Sequence, residues 1–391
     1  MSLRPHWMPN LEQELLLKSA LLDPEEAICA WESWSSTSTI FQLGLDTSRI
    51  LPLVWRNLHR HVDSSCMPIL KGLYRSTWCK NQIRINHIFP ILTALKESNV
   101  RISFLKGTAL TLEYYQDFGL RPMADIDLMV SEKELGRAEL VMKSQGWDRD
   151  KKGSLEELVT KYHGVAFTKP NCKDLDLHWR FSWDFTSNFT DQVWRRTKTT
   201  TFQNLALESL DPADLLFHVL IHGSRIGYRN TFNPQPRVIH WIPDAIEIIR
   251  NSKIDWSQLS DSASITYTRP QVYTSLSYLK TIFAAPIPDN ALRELTHKPF
   301  SRAENFRCQA AMYPDRPKFF KTLSYLSRVS TAQIVEDRGM AYLDQIGFQK
   351  QIALMLDCLR RRFNTNSILT ALLRGALLAI TRKARNLSST E

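Results

Sequence analysis

Paired cysteines, long apolar runs, internal repeats and low-complexity segments are all missing from this chain of 391 residues. The six cysteines (Cys29, Cys66, Cys79, Cys172, Cys308 and Cys358) are scattered with no CxxC pair, which argues against a zinc site or a disulfide framework. The most apolar run near the C-terminus, ILTALLRGALLAI, is interrupted by Arg374 and is too short to span a bilayer. The N-terminal text MSLRPHWMPNLEQELLLKSALL becomes amphipathic rather than continuously apolar, unlike a secretory signal. Together these absences lead to the expectation of a reduced, cytoplasmic protein without a transmembrane segment. The HExxH arrangement is also missing. His218 and His222 stand four apart, but Val219, Leu220 and Ile221 lie between them, so packing is a better expectation for this pair than zinc.

What is present suits a large core, since 43% of the residues are hydrophobic, and the length suggests two or three subdomains. The net charge of +10 is uneven. Residues 251–391 hold 20 Lys and Arg against 11 Asp and Glu, and so carry nine of the ten charges. That is either a solvated helical surface or a surface for an anionic partner. No RNA- or DNA-binding motif accompanies it.

Periodicity divides the chain. The first hundred residues read as helices: Leu11 to Cys29 with a break at Asp23-Pro24, then RILPLVWRNLHRHV, then a long segment containing Pro90. From Val100 the period changes. VRISFL and MADIDLMV read as strands around a helix that Gly119 stops. SEKELGRAELVMKSQGW reads as a helix whose Ser131 and Glu134 form a capping box. GVAFTK and DLDLHWRF follow as two strands joined at Pro170-Asn171, and after about residue 205 the pattern is helical again. The expected organisation is α+β, with a small mixed sheet flanked by helices. Its parts are a helical region 1–99, an α/β core 100–205, a helical substrate or lid region 206–300, and a basic helical region 301–391.

Chemistry concentrates in the α/β core. Residues two apart in a strand point the same way, so Asp125 and Asp127 share one face, as do Asp174, Asp176 and His178. If the strands are neighbours, Asp125, Asp127 and Asp176 converge, and three carboxylates suit a hard divalent cation such as Mg²⁺. Lys106-Gly107-Thr108 lies between a strand and a helix, where free N–H groups favour an anion. Gly107 would let a phosphate approach closely, Thr108 would add a hydroxyl donor, and Lys106 would bring positive charge. Arg121, just before the DxD strand, either contacts phosphate or pairs with an aspartate. Tyr114 and Tyr115 are either core or a base-stacking wall, whereas Trp241 and Asp244 read as residues that fix the later helices.

A glycine–hydroxyl turn, D-x-D on the next strand and a later strand carboxylate form a pattern that resembles the DNA polymerase β-like nucleotidyltransferase superfamily. More closely, LKGTAL…YY…GLRPMADIDLMV, LDLHW and WIPDAIEII…IDW resemble a bacterial nucleotidyltransferase family with flanking helical regions. Some of its members accompany lasso-peptide biosynthesis genes. The resemblance runs from about Glu12 to Leu259 and fades beyond. Thr108 stands where many superfamily members have serine, and the gap from Gly107 to Asp125 is longer than in minimal members.

The resemblance implies that Lys106, Gly107, Thr108 and Arg121 bind the nucleotide. Asp125 and Asp127 would hold two Mg²⁺ or Mn²⁺ ions, and Asp176, favoured over Asp174, would complete the metal site beside the acceptor hydroxyl. His178 and His163 would stand behind those ligands or serve as ordinary structural histidines. The implied reaction moves a nucleoside monophosphate from an NTP, by superfamily frequency ATP, to a hydroxyl of a peptide or small molecule, releasing pyrophosphate. The alternatives are a toxin-like enzyme acting on tRNA and a non-catalytic nucleotide- or peptide-binding module.

Overall fold

Alternating apolar residues from Ile102 onward build one mixed sheet in a computed structural model of the chain. The structure describes residues 5, 7–170, 172–182, 185–226 and 238–301, with Glu304, Asn305, Cys308 and Asp357. Almost all of the basic stretch 301–391 therefore lies outside the described residues, as does the side chain of Asp174. Seven strands are described: β1 (Ile102–Leu105), β2 (Ile126–Val130), β3 (Asp148–Arg149), β4 (Gly164–Lys169), β5 (Cys172–His178), β6 (Lys198–Phe202) and β7 (Leu205–Ser209). Their order is β3-β4-β5-β2-β1-β7-β6. β2 lies at the centre, antiparallel to β1 and parallel to β5. All five of its residues are buried, which is why an aspartate within it needs a partner.

Helices cover the sheet. Leu11–Leu21 begins at a reciprocal Asn10–Gln13 capping box, and Pro24–Ser35 restarts with proline in its first turn. The 31-residue helix Met67–Glu97 contains Pro90 and buries Leu70, Ile85, Ile88, Leu92 and Leu95. After the sheet come Pro212–Ile226, Trp241–Asn251, Trp256–Ile265, Arg269–Phe283 and Asp289–Thr296. The helices on the two sides of the sheet in sequence pack on each other. The Trp241 indole donates to the Trp7 carbonyl at 3.1 Å, Arg250 to the Leu21 carbonyl at 3.1 Å, and Arg56 pairs with Glu247 at 2.6 Å. Among the described residues no helix is long and apolar enough to cross a membrane.

Local departures from the sequence expectation have physical causes. The helix after Leu105 is Lys106–Leu110 and continues as a π-helical turn, Thr111–Tyr115. It stops at Gln116, whose φ of 52° is left-handed, three residues before Gly119. Ser131 makes no side-chain cap: the Glu134 N–H donates to the Ser131 carbonyl at 2.9 Å in a 3-10 turn, and the Glu134 carboxylate accepts from the backbone N–H of Arg101. β6 and β7 form a hairpin around Gln203 and Asn204, both at positive φ, so the sheet continues through Ser209 where the text looked helical.

Candidate active site

The sheet itself brings the carboxylates together. Asp127 is the register partner of Leu105 on β1 and of Asp176 on β5. Paired positions of neighbouring strands project to one face, and His178, two residues beyond Asp176, shares it. Ligand atoms of Asp127, Asp176 and His178 all lie within 4.8 Å of one another. Asp125 stands just ahead of β2 and is half-buried.

Lys106 directly follows β1. Its φ of 51° places a residue with a Cβ in the left-handed region, a local strain of about 1–2 kcal/mol. From there its ammonium donates to Asp127 Oδ1. His178 Nε2 lies 2.7 Å from the same oxygen and 3.3 Å from the Lys106 nitrogen. Burial alone would raise the Asp127 carboxyl, but Lys106 and His178 outweigh it and hold the group well below the usual range. With Asp127 ionised, Nε2 of His178 is the protonated ring nitrogen of this hydrogen bond. The imidazole lies against Gly164, where a Cβ would come within 2.6 Å of Nδ1.

Asp125 shows the opposite balance. Burial, and next the negative charge of Asp127, push its carboxyl up to about 6, against the pull of Lys106. Above about pH 6 the two carboxylates therefore carry two negative charges beside the single ammonium of Lys106. Two carboxylates at one register, a third beside them and an uncompensated charge fit a divalent cation held through oxygen. Among the described residues the group whose ligand atoms lie close enough to hold it is Asp127, Asp176 and His178, with Asp125 just ahead of them on the chain.

The residues around the turn are arranged differently from a simple anion cradle. Arg121 donates to both oxygens of Asp244 at 2.8 Å, and the Tyr115 hydroxyl donates to Asp244 Oδ1 at 2.9 Å. All three are buried, so Tyr115 belongs to the core rather than to a stacking wall. Tyr114 is half-buried, and burial pushes its hydroxyl up to about 12. Of the two expectations for Arg121, the structure displays the aspartate pairing. A Cβ on Gly107 would come within 2.2 Å of Arg121 Nη1, so Gly107 makes room for the guanidinium. Thr108 is fully buried, and its hydroxyl has no hydrogen-bond partner among the described residues. The structure therefore does not bring that hydroxyl to the cleft surface.

Two contributors were not singled out as site residues by sequence reasoning. Asp244 had a signal, a carboxylate inside the apolar helix text WIPDAIEII, which demands a buried cation. Arg49 had none. It follows the short helix Leu45–Ser48, donates to the Pro122 carbonyl at 2.9 Å, and draws the Asp125 carboxyl down. Arg49, Tyr115, Arg121, His240 and Asp244 border one small cavity. Burial pushes the His240 imidazole down to about 3, so it is neutral there. Elsewhere, His163 lies tilted against His178 with ring centroids 5.3 Å apart, and His218 packs edge-on against Phe181 at 4.7 Å.

A seven-stranded mixed sheet with flanking helices, presenting carboxylates from parallel neighbours beside a strand-to-helix turn, has the α+β architecture of a nucleotidyltransferase core. Residues 44–284 match a family described as uncharacterised nucleotidyltransferases, and the chain belongs to that family. No curated protein matches the chain.

Proposed function

We propose that the protein transfers a nucleoside monophosphate from an NTP, with ATP the expected donor, to an acceptor hydroxyl and releases pyrophosphate. The observation that carries this reading is the Asp127–Asp176 register pair beside an Asp125 whose carboxyl is pushed up to about 6. Asp125, Asp127 and Asp176 would hold divalent cations, two Mg²⁺ or Mn²⁺ by superfamily resemblance. When bound, these supply charge neutralisation at the triphosphate and favour the ionised acceptor oxygen. Lys106 holds Asp127 ionised in the meantime, and its ammonium, a flexible point charge, can turn to a phosphate once a cation takes its place. Arg121, clamped by Asp244, presents Nη1 at the turn where the triphosphate would lie. Asp176, on the neighbouring strand, accepts the proton of the incoming hydroxyl. Positioning and charge complementarity supply most of the acceleration.

A thermal-shift series with each of the four NTPs, with and without Mg²⁺ or Mn²⁺, tests the reading. Stabilisation is expected only with nucleotide and metal together, and only in the wild type, not in Asp127→Asn. Equal shifts in both proteins would sink it. For the acceptor, the long basic helix Met67–Glu97 favours an RNA hydroxyl over the peptide or small molecule that resemblance suggests.

A further inference from the structure

The helix Met67–Glu97 carries no acidic residue before its last position, while Lys71, Arg75, Lys80, Arg84 and Lys96 lie along it. Its inner face is engaged. The Tyr74 hydroxyl bonds to Asp117, and the Asn81 amide donates to the carbonyls of Phe118 and Arg121. The helix therefore backs the segment that leads into Arg121 and Asp125.

One outer flank is built differently. Lys71, Arg75 and Trp78 follow each other at the four- and three-residue spacing that aligns side chains on one face. Lys71 and Arg75 are exposed, and the Trp78 indole is 44% exposed. Next to them Gly72 sits in the second turn of the helix, where a Cβ would meet nothing within 4 Å. Packing gives no reason for that glycine, which weakens a helix relative to alanine, but it allows another backbone to approach closely.

Two cations and an aromatic plane, on a helix free of acids until its end, complement a chain of phosphates with stackable bases. A membrane surface fits less well. The exposed Ile69, Leu73 and Ile83 share a stripe on the opposite side of the helix from Trp78, so the Lys71–Arg75–Trp78 flank has no apolar neighbour beside it for insertion. Stacking needs an unpaired base, and unpaired loops and ends are the usual targets in RNA.

We propose that the Lys71–Arg75–Trp78 flank docks an unpaired RNA end, and that RNA supplies the acceptor hydroxyl. The acceptor half of this rests on the transfer reading; the docking half does not.

The test is fluorescence anisotropy of the full chain with a labelled single-stranded oligoribonucleotide across a salt series. Binding should weaken steeply with salt. Replacing Lys71 and Arg75 together by alanine should flatten the log–log slope by about 1.4, and Trp78→Ala should weaken binding by about tenfold at unchanged slope. The nucleotide–metal thermal shift, read on the same variants, should stay at its wild-type value and verifies that they are folded. The proposal is overturned by a wild type that fails to bind at low salt. It is equally overturned by variants that bind as tightly as wild type, which would place the contact elsewhere. Co-sedimentation with phosphatidylserine vesicles through these three residues, without RNA binding, would make the flank a membrane contact instead. RNA binding that depends on the three residues, in a protein with no nucleotide–metal shift, would keep the docking surface and sink the transfer reading.

Discussion

Asp125 carries a cost that the folded protein bears for its site. Its carboxyl, 3.8 when unperturbed, is pushed up to about 6 by burial and by Asp127. Between those values the folded state keeps a proton that the unfolded state has released. The group therefore favours folding at low pH and loses that contribution as pH rises through about 6. Asp125→Asn should stabilise the metal-free protein at about pH 8 by on the order of 1–2 kcal/mol, allowing for partial exposure, and should abolish metal-dependent nucleotide binding. Urea melts at about pH 5 and pH 8 check this, since a variant less stable than wild type at the higher pH would contradict it. A cation competes with the proton on Asp125, so metal-dependent stabilisation should fade as pH drops through about 6. Gly107→Ala puts a Cβ onto Arg121 Nη1, whose guanidinium Asp244 holds in place. It should leave the circular dichroism spectrum unchanged and raise the nucleotide KM by about tenfold or more, on the order of 1.4 kcal/mol of lost nucleotide binding. Asp244→Ala strands a buried guanidinium and should cost about 3–5 kcal/mol in urea unfolding.

Among the elements, Asn81 shows how a helix can hold the segment that leads into the candidate site. It is 1% exposed and reaches two carbonyls and the Met123 N–H. Asn81→Leu would leave those groups buried and unpaired, at about 1–3 kcal/mol each. Hydrogen exchange should accordingly rise at 118–123 while β4 and β5 stay protected. Legibility also differed by element. β1, β2, β4 and β5 could be read because apolar residues recur at strand period between turn residues, and the DxD and DLDLHW strands brought Asp127, Asp176 and His178 with them. β6 could not, because KTTTF is an edge strand, mostly exposed, and has no apolar face to betray its period. The Ser131 capping box failed for another reason: the Glu134 N–H closes a 3-10 turn onto the Ser131 carbonyl, and a backbone N–H from Arg101, 33 residues earlier, takes the Glu134 carboxylate. Local patterns yield local structure, whereas Asp244 with Arg121, 123 residues apart, is a pairing that no window of sequence contains.

At the scale of the molecule, the early and late helices form one support for the sheet. Gly223 lies so close to Trp241 that a Cβ would come within 2.4 Å of the indole, and the same indole reaches back to the Trp7 carbonyl. Gly223→Val should therefore push Trp241 off its seat and carry the Asp244 helix with it. The expected result is a fall in thermal stability together with a loss of nucleotide–metal stabilisation. A destabilised variant that still responds fully to nucleotide would show that the support and the site are independent.

The order of synthesis gives the Arg121–Asp244 pair a further consequence. A ribosome makes Lys106, Asp127 and Asp176 long before Asp244, so the emerging sheet holds an unneutralised guanidinium beside the Lys106–Gly107 turn. Only when the helix Trp241–Asn251 has left the exit tunnel can that charge be buried. Asp125, Asp127 and Asp176 thus exist in the nascent chain well before Arg121 is clamped, and a translation product that stops short of that helix would carry all three yet lack the Asp244 that holds Arg121 in place.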